Sequence, residues 1–338
     1  MRYFVKEKRN LTIDDIAREL GVSKTTVSRA LSGKGRIGAE TRDRVLAYTQ
    51  KHNYRPSAAA KSLAESRTYN LALVLPKDFI RLDLPFIRQS MSAICEEAFL
   101  HDYNILLCLA AEDNADALAR VLNDRKVDGV ILSRTVEGDR GLELLMKQDI
   151  PFATMGSLPP RLEGQAAVEA DNDHTGGSRA LTAELLARSQ EKTALLGGDL
   201  RHIVNQHRLE GFRQAVKDIP EEMYAIHTGL NDPQRCEAVV SALLDQGFRQ
   251  FIATDDDICA QAMAILEGKG LRIPEDARLA SFYDSETLRT HTPAVTTLEF
   301  DEVALGRAAC RELLRSIRGE DYTPQLRLPY QITHRGSW

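Results

Sequence analysis

The hydrophobic residues of the first 52 positions recur at helical spacing in three short segments. The first segment begins at Thr12, whose hydroxyl and the carboxylate three positions later form a capping-box pattern, and Gly21 is expected to end it. The second segment begins at Ser23, and the third runs from Glu40 to His52. A helix, a tight turn that contains glycine and a second helix are typical of the helix-turn-helix motif.

From Tyr69 onward the pattern changes to short apolar runs that alternate with helical segments such as 86–102 and 174–189. This alternation predicts parallel sheets that are covered by helices on both faces. More than ten strands are expected, which fits two such sheets better than one. The clearest strand candidates are residues 71–76, 104–110, 127–133, 151–156, 166–171, 193–198, 251–254 and 278–283.

Charge is distributed unevenly along the chain. Residues 1–67 contain 15 Lys and Arg against 7 Asp and Glu, a net charge of +8, whereas the remainder contains 29 against 42, a net charge of −13. A basic head joined to an acidic body is typical of a polyanion-binding domain attached to a domain of another kind. The pattern favours nucleic acid as a partner of the head, although a solvated basic tail would give the same charge count.

The composition is that of a soluble cytoplasmic protein. Its five cysteines are odd in number and scattered without a CxxC pair, which favours reduced thiols over a disulfide or zinc framework. No window contains 18 uninterrupted apolar residues, and the charged start MRYFVKEKRN lacks the apolar stretch of a secretory signal. We therefore expect a cytoplasmic location and no membrane partner.

The second helical segment combines an apolar face with a polar one. Val27, Ala30 and Leu31 are expected to pack inward against the first helix. A helix of this kind can lie in the major groove of DNA, where its exposed side chains reach base edges. A small exposed helix with hydroxyl caps would have the same composition. The side chains left outside are Lys24, Thr25, Ser28 and Arg29.

These outward side chains suit particular DNA contacts. Arg29 can donate two hydrogen bonds to guanine, Lys24 can serve guanine or phosphate, and Thr25 can offer its methyl group or hydroxyl to a base edge. Together they predict a sequence-reading surface. The short hydroxyl donors expected on phosphate oxygens are Ser23, Thr26 and Ser28.

The segments VSKTTVSRAL, NYRP and KSLA resemble the DNA-binding head and hinge of the lactose-repressor family of bacterial transcription regulators. The resemblance extends along the chain to the family's effector-binding core. It implies a small all-α helix-turn-helix head and an α/β core of two periplasmic-binding-protein-like subdomains, each a doubly wound parallel sheet. The core segments that carry it are DNDHTGGSRA (171–180), HRLEGF (207–212), 253–276 and TPAVTTLEFD (292–301).

The resemblance also implies domain boundaries. The head is expected at 1–55, the hinge helix or linker at 56–68 and the core at 69–338. Within the core, the expected N-terminal subdomain comprises about 69–166 and 299–322, and the C-terminal subdomain about 167–298 and 323–338.

In the hinge, the resemblance implies that Leu63 enters the minor groove as an apolar wedge. Such a wedge costs a few kcal/mol of base unstacking but yields a bent duplex with more protein contacts. A leucine that packs on the surface of the core is the alternative interpretation of the residue alone. The remaining residues assigned to DNA binding are Thr12 in the head and Ser57 and Ala60 in the hinge.

The same resemblance implies an effector cleft at the carboxyl ends of the core strands, where open α/β sheets bind ligands. Phe86 occupies the position of an aromatic that stacks on ligand, and Arg208 that of an arginine that grips it; a surface arginine paired with a nearby carboxylate is the alternative for Arg208. Tyr283 and Phe300 depart from the family pattern, which commonly has an aspartate and a glutamine there. The other residues assigned to the cleft are Thr254 and Asp255.

Loss of the aspartate carboxylate at Tyr283 makes a plain neutral sugar less certain and leaves room for an anionic or phosphorylated effector. Extra positive charge for such an effector could come from Arg81, Arg88, Arg134 and His202. The effector is therefore expected to be a sugar, a sugar phosphate or a sugar acid.

The expected function is a homodimeric repressor of transcription that binds a pseudo-palindromic DNA operator and responds to a small metabolite. No leucine heptads follow the last strand-like run, so a dimer is favoured over a tetramer. No catalytic residue, metal ligand or cofactor is assigned, because the chain has neither a GxSxG elbow nor a full dinucleotide fingerprint. Two alternatives are a metabolite-binding module without a DNA role and an enzyme that holds Mg²⁺ on residues 255–257.

Overall fold

A computed structural model describes residues 11–33, 35–52, 54, 62, 65–77, 85–162 and 167–338. The chain divides into two compact units, residues 1–68 and residues 69–338. The division coincides with the boundary between hinge and core that the sequence implies. Among the described residues, no helix combines the length and the apolar character that a bilayer crossing requires.

The head consists of three helices, α1 (Ile13–Leu20), α2 (Lys24–Ser32) and α3 (Ala39–Lys51). The capping box that the sequence predicts at the start of α1 is present, and Gly21 ends the helix with a left-handed φ of 66°. A small apolar core joins the three helices, as the helical spacing of the apolar residues requires. Its buried members are Ile16, Ala17, Val27, Ala30 and Val45.

The core contains two six-stranded sheets, each with helices on both faces. We call the residues of the first sheet and its helices the first lobe (70–172 and 302–328) and those of the second sheet the second lobe (174–300 and 330–338). The first lobe comprises β1 (Asn70–Pro76), α4 (Pro85–Leu100), β2 (Asn104–Ala110), α5 (Asp116–Asn123), β3 (Gly129–Leu132), α6 (Arg140–Leu145), β4 (Phe152–Met155), β5 (Val168–Asn172), α12 (Glu302–Arg318) and β11 (Gln325–Leu328). A 3₁₀ turn at Pro160–Leu162 follows β4.

The second lobe repeats the same alternation of strands and helices. It comprises α7 (His174–Arg188), β6 (Thr193–Leu196), α8 (Ile203–Val216), β7 (Tyr224–His227), α9 (Pro233–Asp245), β8 (Gln250–Ala253), α10 (Asp256–Gly268), β9 (Arg278–Ser281), α11 (Glu286–Thr290), β10 (Thr296–Phe300) and β12 (Tyr330–Thr333). A second 3₁₀ turn, Glu221–Met223, precedes β7.

The strand order is β11-β5-β4-β3-β1-β2 in the first sheet and β12-β10-β9-β8-β6-β7 in the second. All pairings are parallel except that of β12 with β10. Parallel sheets of this kind have both faces covered and hold ligand sites at the carboxyl ends of their strands. The predicted fold class is therefore confirmed.

Two of the three predicted boundaries between the subdomains differ from the sheet topology, because β5 and β11 had been assigned to the C-terminal subdomain. Residues 168–172 and 325–328 belong to the first sheet, where β5 pairs with β4 and with β11. The chain therefore crosses between lobes after β5 and after β11 rather than near 166 and 322, and its third crossing, after β10, lies close to the predicted position near 298. Apolar runs reveal a strand but not the sheet to which it pairs, and this is why the sequence pattern misplaced the crossings.

Four strands, β7, β10, β11 and β12, were not among the clearest strand candidates. All of them except β10 lie at an edge of their sheet. The residues of β7 are all half-buried, and those of β11 alternate between exposed and half-buried. Neither strand therefore has the continuous apolar run that marks a strand buried on both faces.

In each lobe, two neighbouring helices come into close backbone contact at a glycine. A β-carbon added at Gly306 of α12 would lie 2.4 Å from the carbonyl oxygen of Ser90 on α4. A β-carbon added at Gly211 of α8 would lie 2.4 Å from the carbonyl oxygen of Thr175 on α7. Only glycine allows the two helix backbones of each pair to approach this closely.

We expect Gly306→Ala to lower the free energy of unfolding of the core by about 1–3 kcal/mol, because the added methyl group must push α4 and α12 apart. Urea unfolding followed by far-ultraviolet circular dichroism measures the change. The control is Gly268→Ala at the end of α10, where an added β-carbon meets nothing within 4 Å. A loss as large in Gly268→Ala would contradict the packing explanation.

Candidate DNA-binding surface and effector cleft

Helix α2 presents two different faces. Val27 and Ala30 are buried in the head core, with exposures of 0% and 3%, and Leu31 is half-buried beside them. The predicted reading residues are all exposed on the other side of the helix: Lys24, Thr25, Ser28 and Arg29. The structure thus separates the packing face from the polar face as the spacing predicts.

Two of the predicted phosphate donors also stabilise the helix itself. The Ser23 hydroxyl accepts a hydrogen bond from the backbone N–H of Thr26 at 3.1 Å, and the two hydroxyls lie 2.8 Å apart. Thr12 has the same role in α1, where its hydroxyl accepts from the Asp15 N–H at 3.2 Å. These residues are N-caps, which explains why hydroxyl side chains are concentrated at the starts of these short helices.

The two cations of α2 have neighbours within the head. Lys24 Nζ lies 2.5 Å from a carboxylate oxygen of Asp14, and both side chains are largely exposed. The aliphatic part of Arg29 lies against Gly35, where an added β-carbon would be 3.2 Å from Arg29 Cδ. Gly35 has a φ of 90°, so the backbone at this position also favours glycine. The predicted hinge contacts at Ser57, Ala60 and Leu63 lie outside the described residues.

In the core, several predicted cleft residues meet at one edge of the second sheet. Thr254 and Asp255 follow β8, and Tyr283 follows β9, so all three lie at carboxyl ends of parallel strands. Arg208 projects from α8, with its Cζ 5.7 Å from the centre of the Tyr283 ring. This second-lobe wall therefore brings together four of the residues that the resemblance assigns to the effector.

Arg208 is the most unusual group of this wall. It is only 6% exposed, and its Nε is buried without a hydrogen-bond partner among the described residues. Burial lowers the pKa of Arg208, whereas the nearby Asp255 carboxylate favours the charged form. A buried cation needs hydrogen-bond acceptors to offset its lost hydration. Its surroundings are suited to a ligand that brings acceptor oxygens.

Thr254 and Asp255 form the turn from β8 into α10. The Thr254 hydroxyl accepts from the Gly198 N–H at 3.0 Å, and Asp255 caps α10 by accepting from the Ile258 N–H at 2.9 Å. Asp255 Oδ2 also lies 3.3 Å from the Thr254 hydroxyl. Because both Asp255 oxygens serve the fold, this geometry does not support the magnesium alternative; among the described residues, no group of three His, Cys, Asp or Glu side chains is arranged to hold a metal.

Tyr283 is connected to a carboxylate that the sequence reasoning missed. Its hydroxyl donates a hydrogen bond of 2.8 Å to Oε1 of Glu302, the first residue of α12. Glu302 is 9% exposed, and burial raises the pKa of its carboxyl. The signal available in the sequence was its position two residues after Phe300, directly after the motif 292–301.

Phe300 packs beside a second buried group that was not predicted. Its ring meets the ring of His174 edge-on, with centres 4.7 Å apart. His174 Nε2 lies 3.5 Å from Oδ1 of Asp171, and Asp171 also accepts from the Ser157 hydroxyl at 2.6 Å and lies 2.5 Å from Arg327. The motif that contains Asp171 and His174 was recognised, but neither residue was assigned to the site.

Phe86 lies in the first lobe, near the start of α4, and packs against the apolar core of that lobe. Among the described residues, no ring contact or hydrogen bond joins it to the second-lobe wall. Its assignment to the cleft stays a prediction.

Comparison with known proteins identifies the two units. The model of the lacI family of bacterial regulatory proteins matches residues 12–57, and that of the periplasmic binding protein-like domain matches residues 182–338. The transcriptional regulator pepR1 of Lactobacillus delbrueckii subsp. lactis is 27% identical over 334 residues, with 98% of each chain covered. This chain belongs to the lactose-repressor family of bacterial transcription regulators.

Solved structures agree with this family assignment at the level of the fold. The lac repressor dimer bound to operator and the anti-inducer ONPF has a TM-score of 0.76 at 21% identity, with 97% of this chain and 99% of that chain covered. The complex of the regulator CelR with cellobiose has a TM-score of 0.69 at 24% identity, with coverage of 97% and 100%. The chain is a DNA-binding regulator of transcription, and the relatives named here are regulators rather than enzymes.

In this member of the lactose-repressor family, two of the four basic residues suggested as contacts for an anionic effector lie beside a carboxylate of the protein itself. Glu112 of the first lobe lies 3.2 Å from Arg134 and 3.8 Å from His202. Arg88 is exposed on α4, and Arg81 lies outside the described residues. Glu112 therefore offsets the charge of Arg134, and burial lowers the pKa of His202 and so disfavours its charged form.

His174 should make the stability of this regulator depend on pH. Burial, and next the charge of Arg208, lower the pKa of His174 from 6.5 to about 3, although Asp171 opposes the shift and His207 and Arg327 add to it. Below about pH 6.5 the unfolded chain binds a proton that the folded chain excludes, so stability falls as the pH falls. Between about pH 6.5 and pH 5 the loss due to His174 is about 1.5 kcal/mol.

We expect His174→Gln and His174→Phe both to flatten this part of the stability profile. Urea unfolding at several pH values, followed by the fluorescence of Trp338, measures it, because Trp338 packs against the same second-lobe core as Phe300. The two variants differ in packing but share the loss of the titrating group. A slope equal to that of the unsubstituted protein in both variants would contradict the explanation.

Proposed function

We propose that the protein is a cytoplasmic homodimeric repressor that binds a pseudo-palindromic operator and changes its DNA affinity when a small polyhydroxylated metabolite enters the core cleft. The observation that carries the DNA-binding part is the division of α2 into a buried apolar face and an exposed polar face. On this proposal Lys24, Thr25 and Arg29 read base edges, while hydroxyls at helix starts approach phosphates.

The dimer is supported by an apolar patch on the first lobe, formed by Phe99, Leu100, Leu107 and Leu109. These side chains are 79%, 74%, 54% and 44% exposed. Leu107 and Leu109 lie on β2, which is an edge strand of its sheet, and alternate residues of a strand share one face. If a second copy of the chain covered this patch symmetrically, a two-fold axis would relate the two heads, and binding to a pseudo-palindromic operator requires this symmetry.

The effector response is supported by the attachment of α8 to both lobes. Arg208 lies on α8, while the N–H of Ile203, the first residue of α8, donates to the carbonyl of Thr135 in the first lobe at 3.2 Å. Arg201, just before α8, contacts Glu112 of the first lobe at 3.0 Å. A ligand held by Arg208 would therefore act on the helix that connects the lobes, and it would shift their equilibrium only if it bound one arrangement more tightly.

We expect Arg29→Ala to weaken operator binding about 10- to 100-fold, because a bidentate arginine–guanine pair contributes about 1–3 kcal/mol of discrimination. The operator is first selected from a random duplex library with the unsubstituted full-length protein. Fluorescence anisotropy then compares the selected duplex with a scrambled one at a fixed salt concentration.

The matched control is Arg18→Ala, which removes an equal charge from an exposed position of α1. Arg18→Ala is expected to weaken binding to the selected and the scrambled duplex by similar factors, both smaller than the loss of operator affinity in Arg29→Ala. If Arg29→Ala also weakened both duplexes equally, Arg29 would be a phosphate contact and not a base-reading residue.

We expect Leu63→Ala to weaken binding to the selected operator about tenfold or more and to leave nonspecific binding nearly unchanged, because a minor-groove wedge contributes only where the duplex is bent. The same anisotropy assay measures both affinities. The control is Leu46→Ala on α3, which removes an exposed leucine from the head and should keep both affinities. Equal losses for the two duplexes in Leu63→Ala would argue against the wedge.

A further inference from the structure

More carboxylate groups surround Arg208 than the sequence motifs indicated. The carboxylates of Asp255, Asp256 and Asp171 all favour the charged form of Arg208, yet no carboxylate oxygen of a described residue lies within 4 Å of its guanidinium nitrogens. Glu302 adds a fourth carboxylate beside Tyr283, whose ring lies under Arg208. A single buried guanidinium is therefore set among several acceptor groups.

Tyr283 fixes the position of the Glu302 carboxylate. Its hydroxyl donates to Oε1 at 2.8 Å, and Asp301 begins α12 by accepting from the Ala304 N–H at 2.8 Å. The side chain of Glu302 thus begins at the N-terminus of a capped helix, where a negative charge is favoured. The family pattern has a carboxylate at position 283; here Tyr283 occupies that position and holds the carboxylate of Glu302 by a hydrogen bond.

We propose that Glu302, positioned by Tyr283, is a specificity-determining residue of the cleft and selects an effector that presents hydroxyl or amine donors, without a phosphate or carboxylate, to this wall. The inference rests on the proposed effector function. Arg208 would donate to the ligand's oxygens, while Glu302 and Asp256 would accept from its donors. A hydroxyl group suits both, because it donates and accepts at once.

The charges of the wall argue against an acidic effector. A phosphate brings up to two negative charges and no donor when fully ionised, so at Arg208 it would lie close to the carboxylates of Asp255, Asp256 and Glu302. Arg134 and His202, which could have added positive charge, lie beside Glu112. Of the three effector classes expected from the sequence, this wall favours the sugar over the sugar phosphate and the sugar acid.

The experiment uses the full-length protein and a panel of probes. The panel contains glucose, galactose, ribose, cellobiose and glucosamine, with glucose 6-phosphate, ribose 5-phosphate and gluconate as their acidic counterparts. Thermal shift finds the binders, since a ligand that binds the folded state raises its apparent stability. Isothermal titration calorimetry then measures the affinity of each binder.

We expect a neutral or amine-bearing probe to bind and the acidic probes to fail. For the bound probe, Glu302→Gln should weaken affinity at least tenfold, and Tyr283→Phe about threefold or more. The double variant should lose less than the sum of the two free-energy changes, because both substitutions disturb one contact. The control Glu286→Gln removes an exposed carboxylate from the same first position of a helix, α11, and should bind as the unsubstituted protein does.

Binding of an acidic probe only, binding of no probe, or unchanged affinity in Glu302→Gln would each overturn the proposal. Additive losses in the double variant would show that Tyr283 does not act through Glu302, and would overturn the inference that Tyr283 positions this carboxylate. Operator binding, measured in parallel by anisotropy, separates these outcomes from the proposed function. A protein that binds its operator and is released by a sugar phosphate keeps its regulatory function and loses only this inference.

Discussion

The buried guanidinium of Arg208 is the group on which the geometry of the cleft depends. It lies over the Tyr283 ring, near the capped turn of Asp255 and close enough to His174 to lower the pKa of that imidazole. A charge held this deep is expensive unless something offsets the lost hydration. The protein surrounds it with carboxylates at longer range and leaves its Nε without a partner among the described residues. The fold therefore holds Arg208 charged but incompletely satisfied, a state that a ligand with acceptor oxygens would relieve.

Ligand binding at Arg208 could affect the rest of the core through helix α8. Helix α8 carries Arg208 and belongs to the second lobe, but its first N–H bonds to the carbonyl of Thr135 in the first lobe. The ion pair of Arg201 with Glu112 lies beside this attachment. The ion pair is partly exposed and can break and re-form at a small free-energy cost, whereas the hydrogen bond between Ile203 and Thr135 is buried. A change in lobe orientation would then exchange these contacts rather than disrupt an apolar core.

Much of the head was predictable because its determinants are local. A hydroxyl at a helix start, a glycine at its end and apolar residues at helical spacing all act within a few positions, and Thr12, Gly21 and Ser23 have the roles that the pattern indicates. The strands of the core were found for a related reason, since continuous apolar runs mark strands that are buried on both faces. The edge strand β11 was missed because polar residues alternate with its leucines, whereas the edge strand β2 was found because its residues are almost all apolar.

Sheet membership and the full composition of the cleft required the fold. The contact between Tyr283 and Glu302 joins residues that are 19 positions apart, and Arg208 meets Tyr283 only because α8 and the end of β9 lie together. Family motifs identified Arg208 and Thr254, but a motif position does not tell which carboxylate a substituted tyrosine will contact. The replacement of an aspartate by Tyr283 suggested the loss of an acidic group; the structure instead supplies Glu302. A substitution in a binding site therefore changes the ligand only after its new partner is counted, and here that partner reverses the direction of the inference about effector charge.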